Sequence, residues 1–105
     1  MAYVNHSGTY SSNGVKTTIA ANTEIKFANG VNSLVFSNEG AANITIKING
    51  EANTHLVKVG YTVEFDDLRI GKITIVENGA VYSYSALWFW FFIRKEVKIY
   101  GNENL

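Results

Sequence analysis

From residue 15 onward the chain alternates between apolar and polar side chains with a period of two, and the alternation is broken at short intervals by Gly, Asn and Asp. That period is the mark of strands with one buried face. Val15-Lys16-Thr17-Thr18-Ile19-Ala20 is β-branched and partly alternating, and Ile25 and Phe27 share a face of the segment 23–27. Residues 33–37 form a short apolar run. Ile44, Ile46 and Ile48 alternate cleanly, with 54–59 as a pairing partner. Tyr61, Val63 and Phe65 alternate again, as do Ile73 and Ile75 within 68–76, where Gly71 suggests a bulge. Residues 80–93 read as one long strand or two joined ones, and Val97 and Ile99 close the series. No segment holds a convincing helical period. The pattern predicts an all-β domain of about eight or nine strands, an antiparallel β-sandwich of jelly-roll-like or Ig-like type.

The punctuation agrees with this reading. There is no proline, so turns rest on pairs such as Asn13-Gly14, Asn29-Gly30, Asn49-Gly50 and Asn78-Gly79. Asn-Gly is a strong hairpin signal because a type I′ turn needs positive φ at both central residues. At 105 residues the chain is long enough for one domain with its own core. Residues 1–14 are rich in Ser, Gly, Asn and Tyr and read as a polar N-terminal arm, leaving 15–105 as the sandwich.

One segment departs from the alternation. Leu87-Trp88-Phe89-Trp90-Phe91-Phe92-Ile93 is apolar at every position and holds both tryptophans. As a strand it would project Trp88, Trp90 and Phe92 one way and Leu87, Phe89, Phe91 and Ile93 the other. A small domain has room to bury one such face. The expected core is Ile44, Ile46, Ile48, Val63, Phe65, Ile73, Ile75, Phe89 and Phe91. Trp88, Trp90 and Phe92 are then a second apolar surface, buried against another chain or under residues 1–14, and with Tyr82 and Tyr84 they are the expected interface. About 400 Å² lost by three rings would be worth ~10 kcal/mol before association costs, enough to sustain a homo-oligomer.

Composition removes several classes of function. Nine basic and nine acidic residues cancel, so there is no field to draw the chain to nucleic acid or anionic lipid. Without cysteine there are no disulfides or thiolate metal sites, and two distant histidines, His6 and His55, make a poor zinc set. Residues 1–8 lack the pattern of a secretory signal, and seven apolar residues cannot cross a bilayer as a helix. No nucleophile elbow or phosphate loop is present. Glu64, Asp66 and Asp67 form the tightest acidic group, but they lack calcium-loop spacing and read as a solvated strand end. No catalytic residue, metal or cofactor is assigned. Trp88, Trp90, Tyr82 and Tyr84 with abundant Asn also supply the materials of a glycan-binding module, which stands as the alternative to an assembly role.

The stretch 33–75 carries Phe36-Ser37-Asn38-Glu39-Gly40, Ile46-Lys47-Ile48-Asn49-Gly50, Gly60-Tyr61-Thr62-Val63-Glu64-Phe65-Asp66 and Ile70-Gly71-Lys72-Ile73-Thr74-Ile75. This layout resembles small β-sandwich virion proteins of tailed bacteriophages, of the head-decoration, head-fibre or tail-associated kind. The resemblance covers about two-fifths of the chain and leaves out the aromatic strand. It implies a structural role in a virion, made in the host cytoplasm, with multiple copies, contacts to other virion proteins and adhesion to a host surface. It transfers no catalytic residue.

Overall fold

The computed structural model describes the backbone of residues 3–93 and the side chains of residues 8–66 and 69–88. Within these bounds the protein is all-β, without a helix. Seven strands follow one another: β1 (Tyr3–Ser11), β2 (Lys16–Thr17), β3 (Thr23–Asn38), β4 (Ile44–Ile48), β5 (His55–Val57), β6 (Thr62–Ile75) and β7 (Val81–Ile93). All pairing is antiparallel, in the order β1-β7-β3-β6-β4-β5, with β2 also on β7. The sheet is not closed; it folds over into an antiparallel sandwich.

Two long strands make the fold-over. Between Lys26 and Val31, β3 advances five residues while β6 moves two; between Val31 and Ser33, β3 advances two while β6 moves four. Each strand therefore carries extra residues at the same height, and bulges bend a strand and increase its twist. The first half of β3 pairs the second half of β6, which continues into β4 and β5. The second half of β3 pairs the first half of β6 on one side and β7 on the other. Asn29-Gly30 and Asp66-Asp67, expected as turns, lie inside these continuous strands. Gly30 has φ +69, which an L-residue adopts only with strain, and Arg69 Cδ lies 3.2 Å from where a Cβ would stand. Arg69 Nη2 also donates to the Asn29 carbonyl at 3.0 Å.

The expected count of eight or nine strands treats each half of β3 and β6 as separate. Bulging also flips side-chain parity: Ile25 and Phe27 point inward on odd positions of β3, and Leu34, Phe36 and Asn38 on even ones.

One hydrophobic cluster fills the fold. Phe36, Leu34, Tyr82 and Ala86 come from one layer; Ile44, Ile46, Ile48, Val57, Ile73 and Ile75 come from the other. The isoleucines of the expected core are all buried, while Val63 and Phe65 pack against it half-exposed. Phe89 and Phe91 have side chains outside the described residues. Residues 95–100, read as a further strand, lie outside them too.

The Asn-Gly signal at 49–50 performs as its chemistry requires. Asn49 (φ 55) and Gly50 (φ 73) are both left-handed, and Glu51 N–H donates to the Ile48 carbonyl at 3.0 Å. The β4–β5 ladder begins only at Ile46↔His55, so the tight turn sits within a longer loop.

Candidate assembly interface

β7 has two unlike parts. Over 82–87 it is a central strand, with β3 on one side and β1 or β2 on the other. Pairing with β3 ends at Ser33↔Leu87, because β3 bends away at its bulge. Pairing with β1 runs on from Ser11↔Ser85 to Tyr3↔Ile93. Among the described residues, 88–93 therefore form a two-stranded ribbon with 3–8, and the β3 side of β7 is open there.

The segment 3–11, expected within a polar arm, is a full strand of the sheet. Its sequence does not alternate, and what holds it is the backbone ladder to β7. Ser12 extends that ladder: its N–H donates to the Tyr84 carbonyl at 3.0 Å, and its hydroxyl accepts from Tyr84 N–H at 3.0 Å. Asn13-Gly14 then loops out (φ 57 and 100), and β2 resumes along the same edge. Tyr10 ties the ribbon's base to the second layer. Its ring lies 5.3 Å from Phe27, and its hydroxyl accepts from Asn29 N–H at 3.3 Å.

The aromatic candidates fall in different places. Tyr82 is buried and stacks on Phe36, with centroids 5.7 Å apart and planes 5° from parallel. Tyr84 is half-buried, edge-on to Phe27 at 5.8 Å. Burial raises the pKa of both phenols above 10.0, and Tyr82 beside it adds to the rise for Tyr84. Both rings take part in the packing within one chain. Trp88 continues the inward parity of Tyr82, Tyr84 and Ala86, and packs half-buried against the core, while Leu87 faces outward and is exposed. The two faces of the run are thus the reverse of the expected assignment at these positions. Trp90 and Phe92 have side chains outside the described residues.

Trp88 is opposite Gly8 in the β1–β7 register. Its indole lies over the Gly8 Cα, with Cε2 2.8 Å from where a Cβ would be. Glycine is required by this approach, which gives the ring a flat backbone bed. Replacing Gly8 with valine is expected to displace the indole and destabilise the protein by about 1–3 kcal/mol, the usual cost of overpacking. Thermal melts compared with Thr9→Val, at the exposed neighbouring position of the same strand, provide the measurement. Both variants place a valine in β1, so the Gly8 excess isolates the clash with the indole.

The polar candidates are scattered. Glu64 and Asp66 are exposed on β6, and His55 packs edge-on to Phe65 at 5.1 Å. Among the described residues no group of three His, Cys, Asp or Glu is placed to hold a metal, and no helix is long and apolar enough to cross a membrane. A shallow hollow of about 290 Å³ lies on the outer sheet face between Thr9, Ser33, Val35, Ser85 and Leu87.

No family model matches the sequence, and no curated protein matches it. A solved structure from work on Bacillus endospore appendages, described as forming a novel family of disulfide-linked pili, is similar to 86% of this chain over 87% of its own length. Its sequence identity is 14% and its TM-score 0.48.

Proposed function

We propose that this chain is a non-enzymatic structural protein that joins copies of itself, and other proteins of a tailed-bacteriophage particle, through the aromatic end of β7. The observation that carries the assembly role is the side of β7 over 88–93 that no strand covers among the described residues, where β3 has turned away. Folded proteins normally guard such edges with charge, proline or a covering segment. Neither Tyr3–Ser11 nor Val81–Ile93 contains a Lys, Arg, Asp, Glu or Pro. An apolar edge without such guards is a template for pairing with another chain. The bacteriophage setting rests on the sequence resemblance over 33–75, and with it the virion location.

Sedimentation velocity of the purified full chain at micromolar concentration tests the assembly role, with an oligomer expected. A monomer throughout that range would overturn it. The setting is tested separately, by quantitative peptide mapping of purified particles from the producing culture; multiple copies per particle are expected, and absence from the particles overturns that part alone.

A further inference from the structure

We infer that the partner of the open β7 edge is the same edge of a second copy, docked antiparallel about a two-fold axis that passes through residues 88–93. This inference rests on the assembly role proposed above and specifies its geometry.

Direction decides the occupant. The open side of β7 is in line with β3, so an incoming strand must end before Ser33 or collide with it. β7 runs from the body of the sandwich, at Val81, towards the ribbon tip at Ile93. A second β7 laid antiparallel brings its tip towards this body and carries its own sandwich away past Ile93. The two bodies then sit at opposite ends of a four-stranded spine, β1-β7-β7′-β1′. β1, the other long unguarded edge, does less well here. Within its own chain it runs antiparallel to β7. Docked antiparallel on a neighbour's β7, it would drive one sandwich into the other. Docked parallel it avoids the collision but forms the weaker ladder.

The edge is long enough to matter. A register centred on residue 90 or 91 overlaps five residues of each strand within 88–93, which gives about four to six hydrogen bonds between two copies. It also has no like charges to repel its own image, since Val81–Ile93 is uncharged. A two-fold contact places the same patch on both partners and closes at a dimer. Directly opposed residues in an antiparallel ladder have matching hydrogen-bond direction, so the axis must pass through one residue and its own copy.

That last point supplies the test, because the native chain has no cysteine. Single variants Phe89→Cys, Trp90→Cys, Phe91→Cys and Phe92→Cys are oxidised in the full-length protein, with Val15→Cys, exposed in the loop before β2, as the control. Melting curves confirm that each variant folds. One position is expected to form a covalent dimer at least about tenfold faster than its sequence neighbours and the control, since a disulfide needs Cα atoms within roughly 4.4–6.8 Å. An oligomer in which every position cross-links at the control rate would overturn this geometry while leaving the assembly role standing; a monomer overturns both. Amide exchange on the unmodified protein reads the same contact without mutation. Alternate amides within 88–93 are expected to lose protection on dilution, and protection that does not change with concentration would show that the chain's own flanking residues fill the edge, overturning the inference.

Discussion

Truncation of Phe36 to alanine is expected to cost about 3–5 kcal/mol, the range for emptying a buried aromatic site. Phe36 is fully buried near the middle of β3. Opposite it are Val63 on β6 and Tyr84 on β7, so it stands where three strands meet. Its ring is stacked on Tyr82, and the second layer's isoleucines belong to the same cluster. Alanine would leave a cavity that the bent strands cannot close, because backbone ladders hold them on both sides. A domain of this size has about 5–15 kcal/mol of stability in all. The melting temperature is therefore expected to fall by about 15–30 °C. Val35→Ala, next door on the outward face and half-exposed, is expected to cost under about 1 kcal/mol. Equal losses at the two sites would contradict the inward and outward assignment of β3, and with it the layer boundary.

The contrast between positions 35 and 36 shows what could be read from the chain. Where alternation is strict and local, as in Ile44, Ile46 and Ile48, the buried face follows from the sequence. The Asn49-Gly50 turn is legible for the same reason, since the residue types determine the backbone geometry. β3 and β6 are harder. Their bulges reverse parity in mid-strand, and a glycine with positive φ serves a bulge as readily as a turn. Asn29-Gly30 and Asp66-Asp67 thus look like strand ends and are not. β1 has no apolar period to reveal it, because its stability comes from a partner some eighty residues away in β7. The aromatic run is recognisable as a strand, but the choice of face is set by long-range contacts. Tyr82 stacking on Phe36 fixes even positions inward, and Trp88 follows.

These features bear on the candidate interface together. The bulge that turns β3 into the second layer is what leaves β7 uncovered beyond Leu87. Fold-over and open edge are two results of one local distortion. Arg69 on Gly30 and Val31 buried in the core hold that distortion in place. The ribbon is anchored at its base by Tyr10 on Phe27 and by the Trp88 indole on Gly8. A ribbon held in this way loses less conformational entropy on pairing than a free segment would, which favours association.

Asn38→Asp is expected to make the stability of the protein strongly dependent on pH. Asn38 is buried, and all of its amide's polar atoms are engaged. Nδ2 donates to the Ala42 carbonyl at 2.8 Å and the Val57 carbonyl at 2.9 Å, and Oδ1 accepts from Gly40 N–H at 2.9 Å. The side chain thereby ties the end of β3 to β5 and to the loop before β4. Aspartate keeps the shape but reverses the role of one atom: an ionised carboxylate would face two carbonyl oxygens in a dry site. Burial and those carbonyls favour the protonated acid, so the folded pKa lies above the unfolded value of about 3.9. Below the unfolded pKa the acid is neutral in both states and can still donate one hydrogen bond. As pH rises from there, the unfolded chain ionises first and stability falls, until the pH passes the folded pKa. Each unit between the two values costs about 1.4 kcal/mol. The destabilisation relative to the parent chain is therefore expected to grow by about 2–4 kcal/mol between pH 4 and pH 7, approaching the cost of an unpaired buried charge. Asn38→Leu leaves the same carbonyls without donors but has nothing to ionise, and its loss of about 1–3 kcal/mol per stranded group is expected to be flat over that range. Urea titrations of the three chains at both pH values measure the difference. An aspartate variant as insensitive to pH as the leucine variant would mean that water reaches position 38, and that β3, β5 and the loop between them are not closed around it.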